Sequence, residues 1–299
     1  MHVLSLLFLL PLACARPPPE DIPPKPPTSF KLIPSAIIKK TSSPLGTNGP
    51  GRTGSTSASS FAELQLNLCN SGLAKCYAKG QSIQEGAELI YATGPNVVTL
   101  NEICSNDIAP LQRSLAEVWP TDYTYSVFMS AEDKEKKARY KCTNGNFYGS
   151  AVLGRVPKSA WKGIDAYGGQ YTTQDGTKEG RIFACVNAKG DHFACTSHLS
   201  AGPESTALAQ CRALMFDAVP YLKAKTGASG RTVVGGDFNL KYNTRDAENV
   251  QKCVPNGYTR KGDGDKQHVI FANDLKFVST KKYGLTFTDH DGFLVKLKK

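Results

Sequence analysis

The sequence predicts a layered domain of mixed strands and helices, an α/β or α+β fold. Three observations carry this. Short apolar runs of strand length recur from residue 61 to the C-terminus, at least one longer segment has helical spacing, and 27 glycines in 299 residues supply loops between them. Leu64, Leu66 and Leu68 alternate with Glu63, Gln65 and Asn67, the pattern of a half-buried strand. Val97 to Leu100 reads as a buried strand. Asp107 is placed to cap a helix running towards Trp119, with Pro110 in its first turn. Leu208, Cys211, Leu214, Met215, Val219 and Leu222 mark a helix within Glu204–Lys225. Arg231–Val234, Val269–Ala272 and Gly292–Leu297 complete the strands.

The N-terminal fifth is different. Val3–Leu12 is an apolar run of signal-peptide length, followed by the small-x-small pattern Ala13-Cys14-Ala15. It is too short to span a bilayer, and no second long apolar run follows. Residues 1–15 therefore read as a signal peptide, and the mature chain as secreted, without a stable membrane anchor and monomeric. Pro11-Leu12-Ala13 is a poor lipid-attachment signal for Cys14. Residues 16–60, rich in Pro, Ser, Thr and Gly, read as a disordered linker or pro-segment, and residues 61–299 as the folded domain. Within the linker, Ser29 to Lys40 holds enough apolar residues to dock on the domain.

Net charge is +10, and residues 16–60 supply six Lys/Arg against two Asp/Glu. The remaining excess suits a polyanionic partner: nucleic acid, a cell wall or a membrane surface. Eight cysteines follow Cys14, an even number that in an exported chain reads as disulfides. Cys185 and Cys195 lie five residues either side of Gly190, so a hairpin through Ala188–Asp191 sets them opposite each other. Cys69 and Cys76 are near enough to close a small loop. Three arrangements remain for the other four, of which Cys104 with Cys142 and Cys211 with Cys253 is favoured. No paired C-x-x-C spacing supports a thiolate metal site.

Polar groups collect at the ends of the apolar strands: Asn67, Glu102, His198, Asp237, Asn239, Asp289 and His290. Singly, each has a dull explanation as a solvated or turn residue. Together they point to the rim of a sheet, where α/β folds bind ligands. The segments Gln65-Leu66-Asn67, Leu100-Asn101-Glu102, Tyr148–Leu153, Thr196-Ser197-His198-Leu199, Gly236-Asp237-Phe238-Asn239 and Thr288-Asp289-His290 together resemble the endonuclease/exonuclease/phosphatase superfamily, in the family's order. The resemblance covers roughly residues 61–297. It implies a four-layer sandwich, two packed mixed β-sheets flanked by helices, and metal-dependent cleavage of phosphate esters. It assigns the metal, Mg²⁺ with Mn²⁺ or Ca²⁺ as alternatives, to Glu102 and Asp289, carboxylates suited to a hard cation. It places His198, Asp237, Asn239 and His290 in catalysis, with His290 the usual base, and Asn67, Tyr148 and Arg181 against the substrate phosphate.

Two positions depart from the family pattern. Gln267 stands where an Asp usually orients the second histidine, leaving Asp263 or Asp265 as substitutes. Cys104 replaces a basic residue two after the metal glutamate. The expected function is a secreted metal-dependent phosphodiesterase, foremost a nuclease acting on DNA or RNA. The alternatives are a lipid or small-molecule phosphoesterase, sphingomyelinase-like, and a binding protein that kept the fold without catalysis.

Overall fold

The computed structural model describes residues 25–46, 59–243 and 245–299; the expected signal peptide and part of the expected linker lie outside them. In chain order the strands are β1 (Phe30–Leu32), β2 (Ile37–Ser42), β3 (Ser60–Asn67), β4 (Val97–Cys104), β5 (Tyr123–Ser130), β6 (Glu132–Asp133), β7 (Ala138–Arg139), β8 (Tyr148–Val156), β9 (Ile164–Tyr171), β10 (Glu179–Gly180), β11 (Ile182–Ala188), β12 (His192–His198), β13 (Thr232–Asp237), β14 (Tyr258–Gly262), β15 (Gln267–Ala272), β16 (Lys276–Tyr283) and β17 (Gly292–Lys298). The helices are α1 (Gln81–Thr93), α2 (Ile108–Val118), α3 (Glu204–Arg212) and α4 (Val219–Thr226).

Two seven-stranded sheets face each other, in the orders β1-β9-β11-β12-β13-β15-β14 and β16-β17-β3-β4-β8-β5-β2. Each contains one parallel pair, β12 with β13 and β3 with β4, among antiparallel neighbours. Three cores separate four layers. Val127, Val152, Ala184, Val233 and Phe293 fill the space between the sheets. Leu64, Leu66, Ile90 and Leu111 join one sheet to α1 and α2, and Phe193, Leu214, Leu222 and Val234 join the other to α3 and α4. This is the four-layer sandwich expected from the sequence. Among the described residues no helix is long and apolar enough to cross a membrane.

The eight cysteines form the pairs Cys69–Cys76, Cys104–Cys142, Cys185–Cys195 and Cys211–Cys253. Cys185 and Cys195 are direct partners in the β11–β12 hairpin, with Cα atoms 4.1 Å apart.

Four local readings need correction. The β3 strand is not half-exposed: Glu63, Gln65 and Asn67 are as buried as its leucines, because its polar face lies against the second sheet. The Glu204–Lys225 helix is interrupted by a π-helical stretch over Ala213–Ala218. Asp107 does not cap α2 with its side chain; its carboxylate accepts from Cys104 N at 2.7 Å and Asn70 Nδ2 at 2.9 Å.

The fourth concerns the linker. Composition alone argued for disorder through residue 60, but β1 and β2 lie within it, pairing with β9 and β5 in opposite sheets. Phe30 explains why. It is buried, edge-on to Phe183 with ring centroids 5.3 Å apart, and against Tyr221 at 6.0 Å. The Ser29 hydroxyl also donates to Asp217 Oδ2 at 2.6 Å. Truncating a buried Phe to Ala costs about 3–5 kcal/mol, so Phe30→Ala should lower Tm by roughly 10 °C. A chain begun at Ser59 should be less stable still, although it keeps every candidate site residue. An unchanged Tm for Phe30→Ala, measured by calorimetry, would show that β1 is not part of the cooperative fold.

Candidate active site

The carboxyl ends of both parallel pairs open onto one cleft. Asn67 ends β3, Glu102 lies near the end of β4, and His198 and Asp237 close β12 and β13 as register partners. The geometry of Glu102 is unusual. The β4–β8 register shifts between Leu100 and Ile103, and Glu102 has φ +55°. A β-bulge re-aims a side chain, and a left-handed non-glycine residue costs on the order of 1–3 kcal/mol, strain typical of functional sites. Here the bulge turns the Glu102 carboxylate into the cleft.

Asn67 is the centre of the cluster. Its Nδ2 donates to Glu102 Oε1 at 2.8 Å and to Asp237 Oδ2 at 3.0 Å. Beneath it, Asn101 Oδ1 accepts from the Asp237 amide and from Gln65 Nε2, both at 2.8 Å, so the two sheets are joined by hydrogen bonds directly under the site. Asn239, left-handed at φ +50°, donates its amide to Asp237 Oδ1 at 3.0 Å and its Nδ2 to the Leu199 carbonyl at 3.0 Å. Asn tolerates this conformation better than most residues.

Two histidines flank Asp237. His290 Nε2 lies 3.4 Å from Asp237 Oδ2 and 3.7 Å from Asp289 Oδ1. Its loop is pinned to the body: Thr286 and Phe287 amides donate to the Glu85 carboxylate of α1, and the Thr288 hydroxyl donates to the Asn67 carbonyl. His198 Nε2 lies 3.8 Å from Glu102 Oε1 and 3.9 Å from Asp237 Oδ2. Burial, with Arg181 and His290 nearby, holds the His198 imidazole well below its ordinary range, so it is neutral at pH 7. Burial also raises both carboxylates. Asp237 and Asp289 push Glu102 further up, while His290 and Asn67 draw Asp237 down.

All nine residues expected from the sequence lie in or behind this cleft, but not on equal terms. Asp289 sits at the rim, its side chain 60% exposed. Arg181 lies behind the cleft with its side chain 4% exposed; its Nε pairs with Asp175 Oδ2 at 3.1 Å and its Nη1 with Glu179 Oε1 at 3.3 Å. Tyr148 is buried and hydrogen-bonded to Glu179. Gln267 does not touch His290. Its amide donates to the Asp291 carbonyl at 2.6 Å and its oxygen accepts from Gln65 at 3.3 Å. Asp265 pairs with Lys241, and Asp263 Oδ1 accepts the Asp265 amide. The buried carboxylate beside His290 is Asp237.

Glu179 escaped the sequence reading. Its Oε1 lies 3.8 Å from His198 Nδ1, a buried nitrogen with no hydrogen-bond partner. Burial pushes its carboxyl up to about 7 against the pull of Arg181. The signal was present: Glu179 and Arg181 are two residues apart on an extended chain, so they share a face, and Arg181 had been singled out.

The donor set fits a divalent cation. Glu102, His198 and Asp237 each offer a ligand atom within 4.8 Å of the others. Two buried carboxylates share one amide, and among the described residues no Lys or Arg comes within 4 Å of either, which leaves negative charge for a cation to balance. The second acid–cysteine group, Asp289 with Cys69 and Cys76, is no such site, because both sulfurs are in a disulfide.

Residues 83–290 match the model of the Endonuclease/Exonuclease/phosphatase family, and the chain belongs to that family. Its members are phosphoesterases. Among solved structures, TDP2 of D. rerio complexed with a single-strand DNA product aligns at TM-score 0.52 and 14% identity, covering 80% of this chain and 99% of that one. Truncated TDP2 of Caenorhabditis elegans aligns at 0.52 and 17%, covering 80% and 98%. A mannosyl-6-phosphatase of Bacteroides thetaiotaomicron aligns at 0.53 and 11%, covering 79% and 99%. No curated protein matches the sequence.

Proposed function

We propose that this chain is a secreted, metal-dependent phosphodiesterase that hydrolyses nucleic acid. The observation that carries the reading is the convergence of Glu102, Asp237, His198 and His290 around Asn67, an acid–imidazole set suited to phosphoryl chemistry. Net charge of +10 favours a polyanionic substrate, and one structural neighbour was solved with single-strand DNA. Four disulfides suit an oxidising compartment outside the cell.

Glu102, the acid of the buried cluster, would hold the cation with help from Asp289 at the rim, Mg²⁺ in this reading, with Mn²⁺ or Ca²⁺ as alternatives. When bound, the ion offsets charge on the phosphoryl oxygens. The chain supplies the rest. His290 takes the proton of the attacking water, and Asp237, 3.4 Å from its Nε2, stabilises the charged ring. Asp237 and Asn239 also orient that water. Neutral His198 donates from Nε2, the nitrogen turned to the cleft, to a phosphoryl oxygen. Glu179, 3.8 Å from the unprotonated Nδ1 and with its carboxyl pushed up to about 7, is a positioning residue that in its acid form can donate to that nitrogen on closer approach. Asn67 and Tyr148 contact the phosphate, while Arg181, paired with Asp175 and Glu179, acts through Glu179.

The test is turnover of plasmid DNA, RNA, sphingomyelin and a sugar phosphate, with Mg²⁺ and with chelator. Nucleic acid should be cleaved only with metal, and Glu102→Gln should be at least about 100-fold slower. Turnover of the sugar phosphate alone would replace the nuclease with a phosphatase, as in the Bacteroides neighbour. Turnover of sphingomyelin alone would make it a lipid phosphodiesterase. A folded protein inactive on all four would be a binding protein.

A further inference from the structure

A small pocket of about 230 Å³ opens beside the acid–imidazole cluster, lined by Glu102, His198, Glu179 and Tyr148. Such a space admits a phosphate and its nearest atoms but not the rest of a polymeric substrate, since ligand sites commonly span about 300–1,000 Å³. Leu73 and Tyr140 line this pocket and also a second, larger groove of about 530 Å³, so the two adjoin at these side chains. The groove carries Lys136, Arg139, Lys141 and Lys178 against Asp133 and Glu135.

The groove is built rather than incidental. One wall, with Leu73, belongs to the loop closed by Cys69–Cys76. The other is the β6–β7 hairpin and the strand-like segment after it, ending at Cys142, which is bridged to Cys104. The Thr143 amide donates to the Ser71 carbonyl at 2.9 Å and ties one wall to the other. The hairpin pairs with β10, whose Glu179 faces His198, while the preceding Lys178 lines the groove. One small sheet thus spans from the catalytic imidazole to the basic channel. Preorganised walls lower the entropy lost on binding.

The charge is available to a ligand. Lys136 and Lys178 do pair with Asp133 and Glu135, but their side chains are 79% and 64% exposed, and such pairs are weak and readily exchanged. Among the described residues neither Arg139 nor Lys141 has an acidic partner within 4 Å; Arg139 lies over the Phe147 ring at 4.6 Å. Leu73 is 57% exposed, and Tyr140 stands at the junction. Cations along a channel with an aromatic at its mouth are the means by which proteins hold a nucleic-acid strand by phosphates and base faces.

We infer that the substrate strand leaves the small pocket past Leu73 and Tyr140 and runs along the groove, with Lys136, Arg139, Lys141 and Lys178 on its phosphates. This rests on the nuclease reading and names where that substrate lies. The test compares wild type, Lys136→Glu/Lys141→Glu, and a control pair on the far side, Lys162→Glu/Lys225→Glu, which changes net charge equally. Each is assayed on a nitrophenyl ester of a mononucleotide and on a single-stranded oligonucleotide of about a dozen residues. Binding of the labelled oligonucleotide is followed by anisotropy in chelator.

The groove pair should raise KM for the oligonucleotide at least about tenfold at low salt and lower the salt slope of binding by about 1.4, two single-strand phosphate contacts. Its kcat on the mononucleotide ester should stay within about twofold of wild type, and the control pair should change little. Equal effects of the two pairs, or equal loss on the mononucleotide ester, would overturn the inference. So would a sulfated glycan binding as tightly as the oligonucleotide. A protein that turns over only small phosphoesters, yet loses oligonucleotide binding in the groove pair, keeps the groove and drops the nuclease. A nuclease whose oligonucleotide KM is untouched by the groove pair does the reverse.

Discussion

Asp237→Asn should lower kcat on a phosphodiester by about 100- to 10,000-fold with the fold intact, and His290→Ala should fall in the same range. The reason is position. Asp237 is the buried carboxylate beside His290, at 3.4 Å, and it also accepts from Asn67 and from the Asn239 amide. Asn has the same shape but no charge, so it cannot stabilise a protonated ring or order water as an acceptor from both oxygens. If the two residues act as one unit, the double variant should be no slower than the slower single one, because losses within a unit do not multiply. Steady-state kinetics on one ester decide it. Multiplying effects would give Asp237 and His290 separate roles, and a His290→Ala enzyme as fast as wild type would remove it as the base. The same geometry revises an expectation about Gln267. Its side chain donates to Asp291 and accepts from Gln65, so a carboxylate placed there would lose the bond to the Asp291 carbonyl and keep at most the one from Gln65.

The second large effect concerns stability. Glu63 lies between the sheets, fully buried, and burial pushes its carboxyl up to about 8 from 4.5. Oε1 accepts from the Thr99 hydroxyl at 3.1 Å, while Oε2 has no partner. Gly235 makes room for it; a Cβ there would collide with Glu63 Oε1 and Thr99 Oγ1. A group whose folded pKa is raised contributes stability that is intact below the unfolded value and lost as pH rises to the folded one. Wild type should therefore lose stability between about pH 4.5 and 8, at up to about 1.4 kcal/mol per pH unit from this group. Glu63→Gln keeps an acceptor for Thr99 and cannot ionise. Its Tm advantage should be small at pH 5, grow to roughly 10 °C by pH 8 and then level. Parallel Tm curves for the two proteins would refute the assignment.

Much of this was legible in the sequence where short-range pattern determines the result. The Cys185–Cys195 bridge follows from hairpin symmetry, and the two histidine motifs and Gly236–Asn239 stand at strand ends that meet. What escaped depends on which sheet a face meets. Alternation in β3 correctly marked two faces, but nothing local says that Glu63, Gln65 and Asn67 turn towards a second sheet rather than to water. Glu179 escaped because its spacing from Arg181 shows only that the two share a face; that this face meets His198 comes from tertiary packing. The apolar residues Phe30, Leu32, Ile37 and Ile38 marked Ser29 to Lys40 as able to dock, but nothing local showed that they add a strand to each sheet, so the expected disorder of residues 16–60 ran too far.

Those same residues have a consequence for solubility. β1 covers β9 and β2 covers β5, so each occupies the lateral margin of a different sheet. Without them, two long strands would present bare amides and carbonyls to other chains, and uncovered strands of that kind recruit partners edge to edge. The opposite margin of the second sheet, β16, is uncovered among the described residues but bristles with Lys276, Lys281 and Lys282, which repel an approaching copy. One margin of the second sheet is thus guarded by charge and the other by β2, so a chain lacking everything ahead of Ser59 should keep the cleft and gain a tendency to self-associate through β5 and β9.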